Sequence, residues 1–465
     1  MRKIKEACGV FGIYARSDKT DVAEEAYLSL FALQHRGQES CGIAVADSEE
    51  ITSYRDLGLV PEVFNPMVMN HLRGGHIAIG HTHYGIEKTK GSSRENAQPF
   101  VSKYKKGSVA LAYNGAISNA SELHEKLQQS GAIFQTNSDC EILLYVLAKE
   151  RLSCHCLEDA VMRLTTKVKG AYSMVVMTSH KLIAVRDKTG FRPLCMGELE
   201  DGSVIFASES CAIETLGAKF IRDIEPGEVV VVDERRTSSY KSKEKCKTGA
   251  CIFEYIYFAR PDSVIDGASV HEARKQAGRF LAKEHPVDAD MVCGVPDSGL
   301  DAALGYAEQS GIPYGVAFIK NRYIGRTFIQ PTQGQRERAV QIKLNALRVA
   351  VEGKRLVLID DSIVRGTTIR NTIRLLKDAG AKEVHLRISS PPFTNPCYFG
   401  TDIASREFLI SCRMTEAEIC EYVGADSLGY LSVENVDKIA DNSGIGFCKG
   451  CFTGEYPIIV DDEKK

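Results

Sequence analysis

The 465-residue chain has no tryptophan, and no motif in it turns on that residue. The other absences exclude more. No apolar run approaches the ~18 residues that a membrane-spanning helix needs. Neither sign of charge dominates: 58 Lys and Arg stand against 61 Asp and Glu, a net of −3. Such a balance gives no general reason to bind nucleic acid or an acidic membrane. The first residues, Met1-Arg-Lys-Ile-Lys-Glu-Ala7, are too few and too charged for a secretory signal, so the cytoplasm is the expected compartment. Cysteine is not scarce, but its fifteen copies are odd in number and follow no regular frame. In a reducing compartment that scatter points to thiols, a metal centre or a nucleophile rather than to disulfides. The length allows two or three domains, and 44% hydrophobic with 26% charged residues is ordinary for a soluble globular protein.

The stretch richest in chemistry is Arg355-Leu-Val-Leu-Ile-Asp-Asp-Ser-Ile-Val-Arg-Gly-Thr-Thr368. Leu356 to Ile359 form a short apolar run suited to a buried parallel strand. The run stops at Asp360 and Asp361, and a helix with apolar positions at Ile369, Ile373 and Leu376 follows the loop. Gly366, Thr367 and Thr368 offer backbone N–H groups and hydroxyls at a helix N-terminus, which suits a phosphate monoester. Adjacent carboxylates are no phosphate ligands, so ribose hydroxyls, or a Mg²⁺ held with them, fit the acids better. An isolated Asp-Asp can equally cap a helix. The whole acid-acid-x-x-x-x-Gly-Thr-Thr word after a strand resembles the phosphoribosylpyrophosphate (PRPP) motif of the type I phosphoribosyltransferases. That resemblance implies that Asp360 and Asp361 face ribose and Mg²⁺ while Arg365, Gly366, Thr367 and Thr368 hold the 5′-phosphate.

Upstream, Met291 to Val295 is another buried-strand run, ending in Pro296-Asp-Ser-Gly299 with a helix expected from about Leu300. Alone the tetrapeptide is a turn signal. In a chain of strand–helix units it resembles the pyrophosphate loop of the same enzymes, with Asp297, Ser298 and Gly299 around the diphosphate and Ser298 in reach of Mg²⁺. Between the two loops runs a long basic stretch, 320–338, with no regular periodicity. It reads as a lid that closes over a polyanion, with Arg326 and Lys343 as anion contacts.

The other half opens with Cys8-Gly-Val-Phe-Gly-Ile13, a short apolar strand begun by a cysteine. A lone early cysteine is ordinarily a packing residue. This one is followed by Leu33-Gln-His-Arg-Gly-Gln-Glu-Ser40, Gly80-His-Thr-His-Tyr84, Ala112-Tyr-Asn-Gly115 and Gln135-Thr-Asn-Ser-Asp139. In that order the motifs resemble the class II glutamine amidotransferase domain, a branch of the N-terminal nucleophile hydrolases, over residues 8 to about 235. The resemblance implies removal of the leader 1–7, which makes Cys8 the first residue. A free α-amine, with a reference pKa near ~7.7–8.0, can take the thiol proton, as an amide nitrogen cannot. It also implies an oxyanion hole from Asn114 and Gly115, a contact from Asp139 to the α-ammonium of glutamine, and Arg36 near the nucleophile. His83 stands where the family has an arginine for the α-carboxylate, a departure that predicts weaker glutamine binding.

Gly170 to Met177, Leu182 to Val185, Ser203 to Ala207 and Glu228 to Val232 read as successive strands, so this half is expected to be β-rich with few helices. A charged Ser/Thr-rich stretch, Asp233 to Lys247, marks the boundary. The expected order is a leader (1–7), an α+β N-terminal nucleophile hydrolase domain of layered αββα form (8–235), a connection (236–250) and an α/β type I phosphoribosyltransferase domain with a mainly parallel sheet (251–465). Cys448-Lys-Gly-Cys451 with Cys251 and Cys397 completes four thiolates, which suit Zn²⁺ or a [4Fe–4S] cluster; spacing alone leaves both open. The two domains and these cysteines together resemble the iron–sulfur branch of the glutamine PRPP amidotransferase family. That implies a [4Fe–4S] cluster, Mg²⁺, glutamine and PRPP as substrates, purine nucleotides as inhibitors and a homo-oligomer, dimer or tetramer. No nucleic-acid or membrane partner is expected. Two other readings stand beside it: an ammonia-preferring variant with impaired glutamine binding, and a non-catalytic PRPP-sensing regulator. Retention of Cys8, Asn114, Asp139 and both acids argues against the second.

Overall fold

The computed structural model describes residues 8–84, 94–242, 246–321, 344–401 and 405–458. In the N-terminal half two antiparallel sheets pack face to face. The first runs Lys219–Asp223, Cys195–Glu198, Val204–Ala207, Gly9–Tyr14, Ile77–His83, Ser40–Ala46 and Ile51–Leu57 in space. The second runs Thr237–Lys241, Glu228–Val232, Leu182–Arg186, Gly170–Met177, Gly107–Ile117 and Phe100–Tyr104. Val10, Ala44, Ile77 and Ile79 of the first sheet meet Ala110, Ala112, Val175, Ala184 and Val230 of the second in one buried cluster. The outer face of the first sheet, including Phe11, Ile13 and Ile43, is covered by the helix Val22–Ala32. Three helices, Ala120–Gln129, Asp139–Ser153 and Leu157–Lys167, cover the other face of the second. Gly9–Tyr14 is therefore buried on both sides, which is why it reads as a continuous apolar run.

The layered αββα form is the expected one, but its helical layers are fuller than the sequence suggested. Asp139–Ser153 buries Ile142, Leu143, Leu144, Val146 and Leu147, a face so wide that it leaves little amphipathic periodicity to read. The strand Thr237–Lys241 also extends the second sheet into the stretch expected to be a connection. Asp233 closes that hairpin by accepting the N–H groups of Arg235 and Arg236. Its residues are polar because they form a largely exposed sheet edge.

The C-terminal half is built on a four-stranded, wholly parallel sheet in the order Met291–Gly294, Arg355–Asp360, Glu383–Ile388, Ser427–Tyr430. Helices Leu300–Ser310 and Thr367–Asp378 follow the two loops as expected, and Val270–Glu284 packs against the first of them. Since Met291–Gly294 pairs directly with Arg355–Asp360, the loops that follow these two strands open side by side at one carboxyl edge. Among the described residues no helix is long and apolar enough to cross a membrane.

Candidate active sites

Cys8 is fully buried at the head of its strand, and its backbone N–H donates to Asn114 Oδ1 at 3.0 Å. Asn114 is itself fully buried in Gly107–Ile117, and its Nδ2 has no hydrogen-bond partner. The amide is thus held by its oxygen beside the nucleophile, with a desolvated donor still to be used. A buried donor of this kind is costly unless something accepts from it. Gly115 has φ +148°, and a Cβ there would lie 2.0 Å from Ala171 O, so only glycine fits. Asp139 opens its helix and accepts from Ile117 N–H at 3.4 Å, which places it along the same strand as Asn114. His83 ends Ile77–His83 with Nδ1 3.5 Å from Cys8 Sγ and Nε2 3.9 Å from Glu39 Oε2. Burial lowers its pKa, and Glu39 opposes that shift.

Arg36 is placed differently. Its Nε is held by Glu209 and its Nη2 donates to Glu254 Oε2 at 2.6 Å. Burial disfavours its charge, but the two carboxylates outweigh that and raise its pKa. Glu209 also accepts from Ser263 Oγ at 2.6 Å and from Arg260 N–H at 2.9 Å. Arg36 therefore holds the two halves of the molecule together.

At the parallel sheet, Ser298 Oγ donates to Asp361 Oδ1 at 2.5 Å, joining the two loops. Asp361 also accepts from Ser362 Oγ, and Asp297 is paired with Lys320. Gly299 packs against the neighbouring strand, where a Cβ would come 2.4 Å from Ile359 O. Gly366 takes φ +80° as the N-cap of Thr367–Asp378, so the loop turns into the helix with Thr367 and Thr368 in its first turn. The Arg365 guanidinium stacks 5.3 Å from the Phe408 ring. Both acids are buried. Burial and then Asp361 push Asp360 well above the usual carboxylate range; burial raises Asp361, against hydrogen bonds from Ser298 and Ser362. An acid pair strained in this way is the donor set that a divalent cation relieves, so the residues fit Mg²⁺. Arg326, Lys343 and the leader 1–7 lie outside the described residues.

The four cysteines come from separate segments. Cys251 and Cys448 are opposite each other in a short parallel pair, Ala250–Cys251 with Phe447–Cys448. Cys451 O accepts from Thr394 and Asn395 N–H, which brings the segment before Cys397 alongside. Burial first, then Cys397, Cys251 and Cys448, raise the Cys451 thiol well above its ordinary value. Mutual destabilisation of neighbouring thiolates, two of them buried and two half-buried, suits a cationic centre. Among the described residues the only three ligand atoms within 4.8 Å of one another are those of Cys8, His81 and His83. No three of the four cysteine sulfurs lie within 4.8 Å of one another.

Glu39, Glu209 and Glu254 were not singled out in the sequence. Glu39 stands inside a quoted motif, Leu33–Ser40, but only strand pairing shows that it faces His83. Comparison with known proteins finds the same two kinds of domain in the same order. Residues 87–215 match the model of a glutamine amidotransferase domain and residues 268–389 that of a phosphoribosyl transferase domain. The amidophosphoribosyltransferase of Archaeoglobus fulgidus is 49% identical, over 98% of this chain and 99% of the relative. That of Methanocaldococcus jannaschii is 46% identical with the same coverage, and that of Bacillus subtilis 44% over 99% and 96%. The structure of glutamine PRPP amidotransferase from B. subtilis complexed with ADP and GMP superposes with a TM-score of 0.90 at 44% identity, covering 98% of each chain. Matched over nearly its whole length at 44–49% identity, the chain belongs to the amidophosphoribosyltransferase family.

Proposed function

We propose that Cys8 attacks the side-chain amide of glutamine and that the ammonia released passes internally to PRPP at the two loops of the parallel sheet. The family's reaction turns glutamine, PRPP and water into 5-phosphoribosylamine, glutamate and pyrophosphate, the first step of purine synthesis. After loss of the leader 1–7, the α-amine of Cys8 accepts the thiol proton. The anion of the tetrahedral intermediate takes the donor of Asn114 and the N–H of Gly115, while Asp139 holds the α-ammonium. Where the family has an arginine for the α-carboxylate this chain has His83, so that clamp lacks its bidentate cation. On the other side, Arg365, Gly366, Thr367 and Thr368 take the 5′-phosphate, and Asp297, Ser298 and Gly299 the pyrophosphate. Arg326 and Lys343 add cationic contacts to the polyanion. Mg²⁺, held by Ser298, Asp360 and Asp361, supplies charge neutralisation for the leaving pyrophosphate. A [4Fe–4S] cluster held by Cys251, Cys397, Cys448 and Cys451 supplies a structural cross-link. Purine nucleotides are proposed as inhibitors of a homo-oligomer, in line with the ADP and GMP of the B. subtilis structure.

The observation that carries this reading is the divided amide of Asn114, with its oxygen on the Cys8 backbone and its nitrogen buried without a partner. The test is a double dissociation. Cys8→Ala should abolish phosphoribosylamine formation from glutamine and leave that from ammonia intact. Asp361→Asn should abolish both routes while glutamine hydrolysis persists. A Cys8→Ala enzyme that still uses glutamine would overturn the reading.

A further inference from the structure

Glutamine hydrolysis needs a group that takes the thiol proton and passes it on, and the geometry holds one besides the α-amine. The strand Ile77–His83 pairs with Gly9–Tyr14 on one side and with Ser40–Ala46 on the other. The first pairing brings the His83 ring to the head of the nucleophile's strand, with Nδ1 3.5 Å from Cys8 Sγ. The second puts Glu39, one residue before Ser40, behind the ring, with Oε2 3.9 Å from Nε2. Thiol, imidazole and carboxylate then stand in the order in which a base activates a nucleophile and an acid orients the base. Among the described residues His81 also lies against this ring, stacked at 6.0 Å between centroids, with its own Nε2 bonded to Tyr113 O at 3.0 Å. Burial lowers the pKa of His83 against the pull of Glu39, so the ring is neutral and able to accept at neutral pH.

We propose that His83 is a catalytic proton acceptor for the Cys8 thiol and that Glu39 is its positioning residue, so that thiol activation does not rest on the α-amine alone. This rests on the reading of Cys8 as the glutaminase nucleophile. The Sγ–H proton passes to Nδ1, leaving a thiolate beside an imidazolium. The thiolate attacks the amide carbon; the C–N bond breaks as the carbonyl re-forms, and the imidazolium proton leaves with the nitrogen as ammonia. Water then adds to the thioester and gives one proton to Nδ1. The C–S bond breaks, Cys8 takes that proton back, and the carboxyl proton of the product goes to solvent.

The test is the rate of Cys8 alkylation by iodoacetamide against pH in the processed protein that begins at Cys8, with melting curves recorded alongside. His83→Gln removes the acceptor, so the thiolate should form nearer the ordinary thiol pKa of ~8.5. An upward shift of about one pH unit makes alkylation near neutral pH about tenfold slower. Glu39→Gln should shift the profile the same way by less, because it removes only the charge that stabilises the imidazolium. A folded His83→Gln protein with the parent's profile overturns the proposal. So does a glutaminase rate that falls by one factor at every pH while the alkylation profile stays put. Should His83→Gln fail to fold, Glu39→Gln decides, and an unmoved profile in that variant overturns the proposal. Parent protein that still hydrolyses glutamine after alkylation at Cys8 would instead remove the nucleophile assignment, and this proposal with it.

Discussion

At the scale of single residues, the chemistry is set by groups whose burial leaves them one productive partner. Asn114→Ala would remove the desolvated Nδ2 beside Cys8. Loss of one oxyanion donor typically costs about 10²–10³ in kcat, so glutamine-dependent turnover should fall by that factor with KM little changed. A drop confined to KM would place the amide in binding instead. Asp360 and Asp361 give a prediction in pH. Burial, then the neighbouring carboxylate, raises Asp360, and burial raises Asp361. The folded state therefore binds protons more tightly than the unfolded chain above the ordinary Asp pKa of ~3.9. Stability present at low pH is lost as pH rises through the raised values. Mg²⁺ favours the ionised pair, so it should raise the melting temperature more near pH 8 than near pH 5, and Asp361→Asn should erase the difference. Equal shifts at both pH values would remove Mg²⁺ from these acids. Cys8, Asn114, Asp360 and Asp361 were legible because each sits in a word whose residue types share one chemical purpose. The buried carboxylate partner of Arg36 was not legible, because it stands 173 positions away in the chain.

At the scale of elements, strands and turns were easier to read than helices and edges. The run Leu356–Ile359 was legible because a strand inside a parallel sheet is buried on both faces and apolar throughout. The helix Asp139–Ser153 and the edge strand Thr237–Lys241 were not, since the first buries apolar and acidic residues alike on most of its sides and the second is polar. The loop at Gly366 tests how far an element's geometry serves binding. Its φ is +80°, and an added Cβ would meet Ile410 Cδ1 at 2.7 Å. Gly366→Ala should cost about 1–2 kcal/mol of stability from the left-handed backbone. It should also weaken PRPP binding, because the first turn of Thr367–Asp378 would tilt away from the phosphate position. Titration of PRPP into the variant checks this; unchanged affinity with lowered stability would show that the loop's shape matters only for folding.

At the scale of the whole molecule, the two halves were legible as domains, but their joint was not, because it is made by side chains far apart in sequence. If the cysteines bind the proposed cluster, anaerobically purified protein should be brown, with about four irons per chain, and air should inactivate it. Colourless, fully active protein with one zinc would end that assignment. The joint itself makes the sharper demand. Glu254 accepts from Arg36 Nη2 at 2.6 Å and from Arg192 Nη1 at 2.8 Å, and none of the three side chains is more than 2% exposed. It stands three residues after Cys251, so the interface and the cysteine cluster share one segment. Glu254→Gln keeps the shape but leaves two buried guanidiniums short of a counter-charge. Breaking a buried pair in this way costs about 3–5 kcal/mol. The loss should be nearly the same at low and high salt, since mobile ions do not reach the site. Phosphoribosylamine formation from ammonia uses only the parallel-sheet site, whereas glutamine also requires the two halves to stay docked. The ratio of glutamine- to ammonia-dependent rates should therefore fall in Glu254→Gln at temperatures where both are still folded. A ratio equal to the parent's would mean that ammonia transfer does not depend on this joint, and that Arg36 and Arg192 serve stability alone.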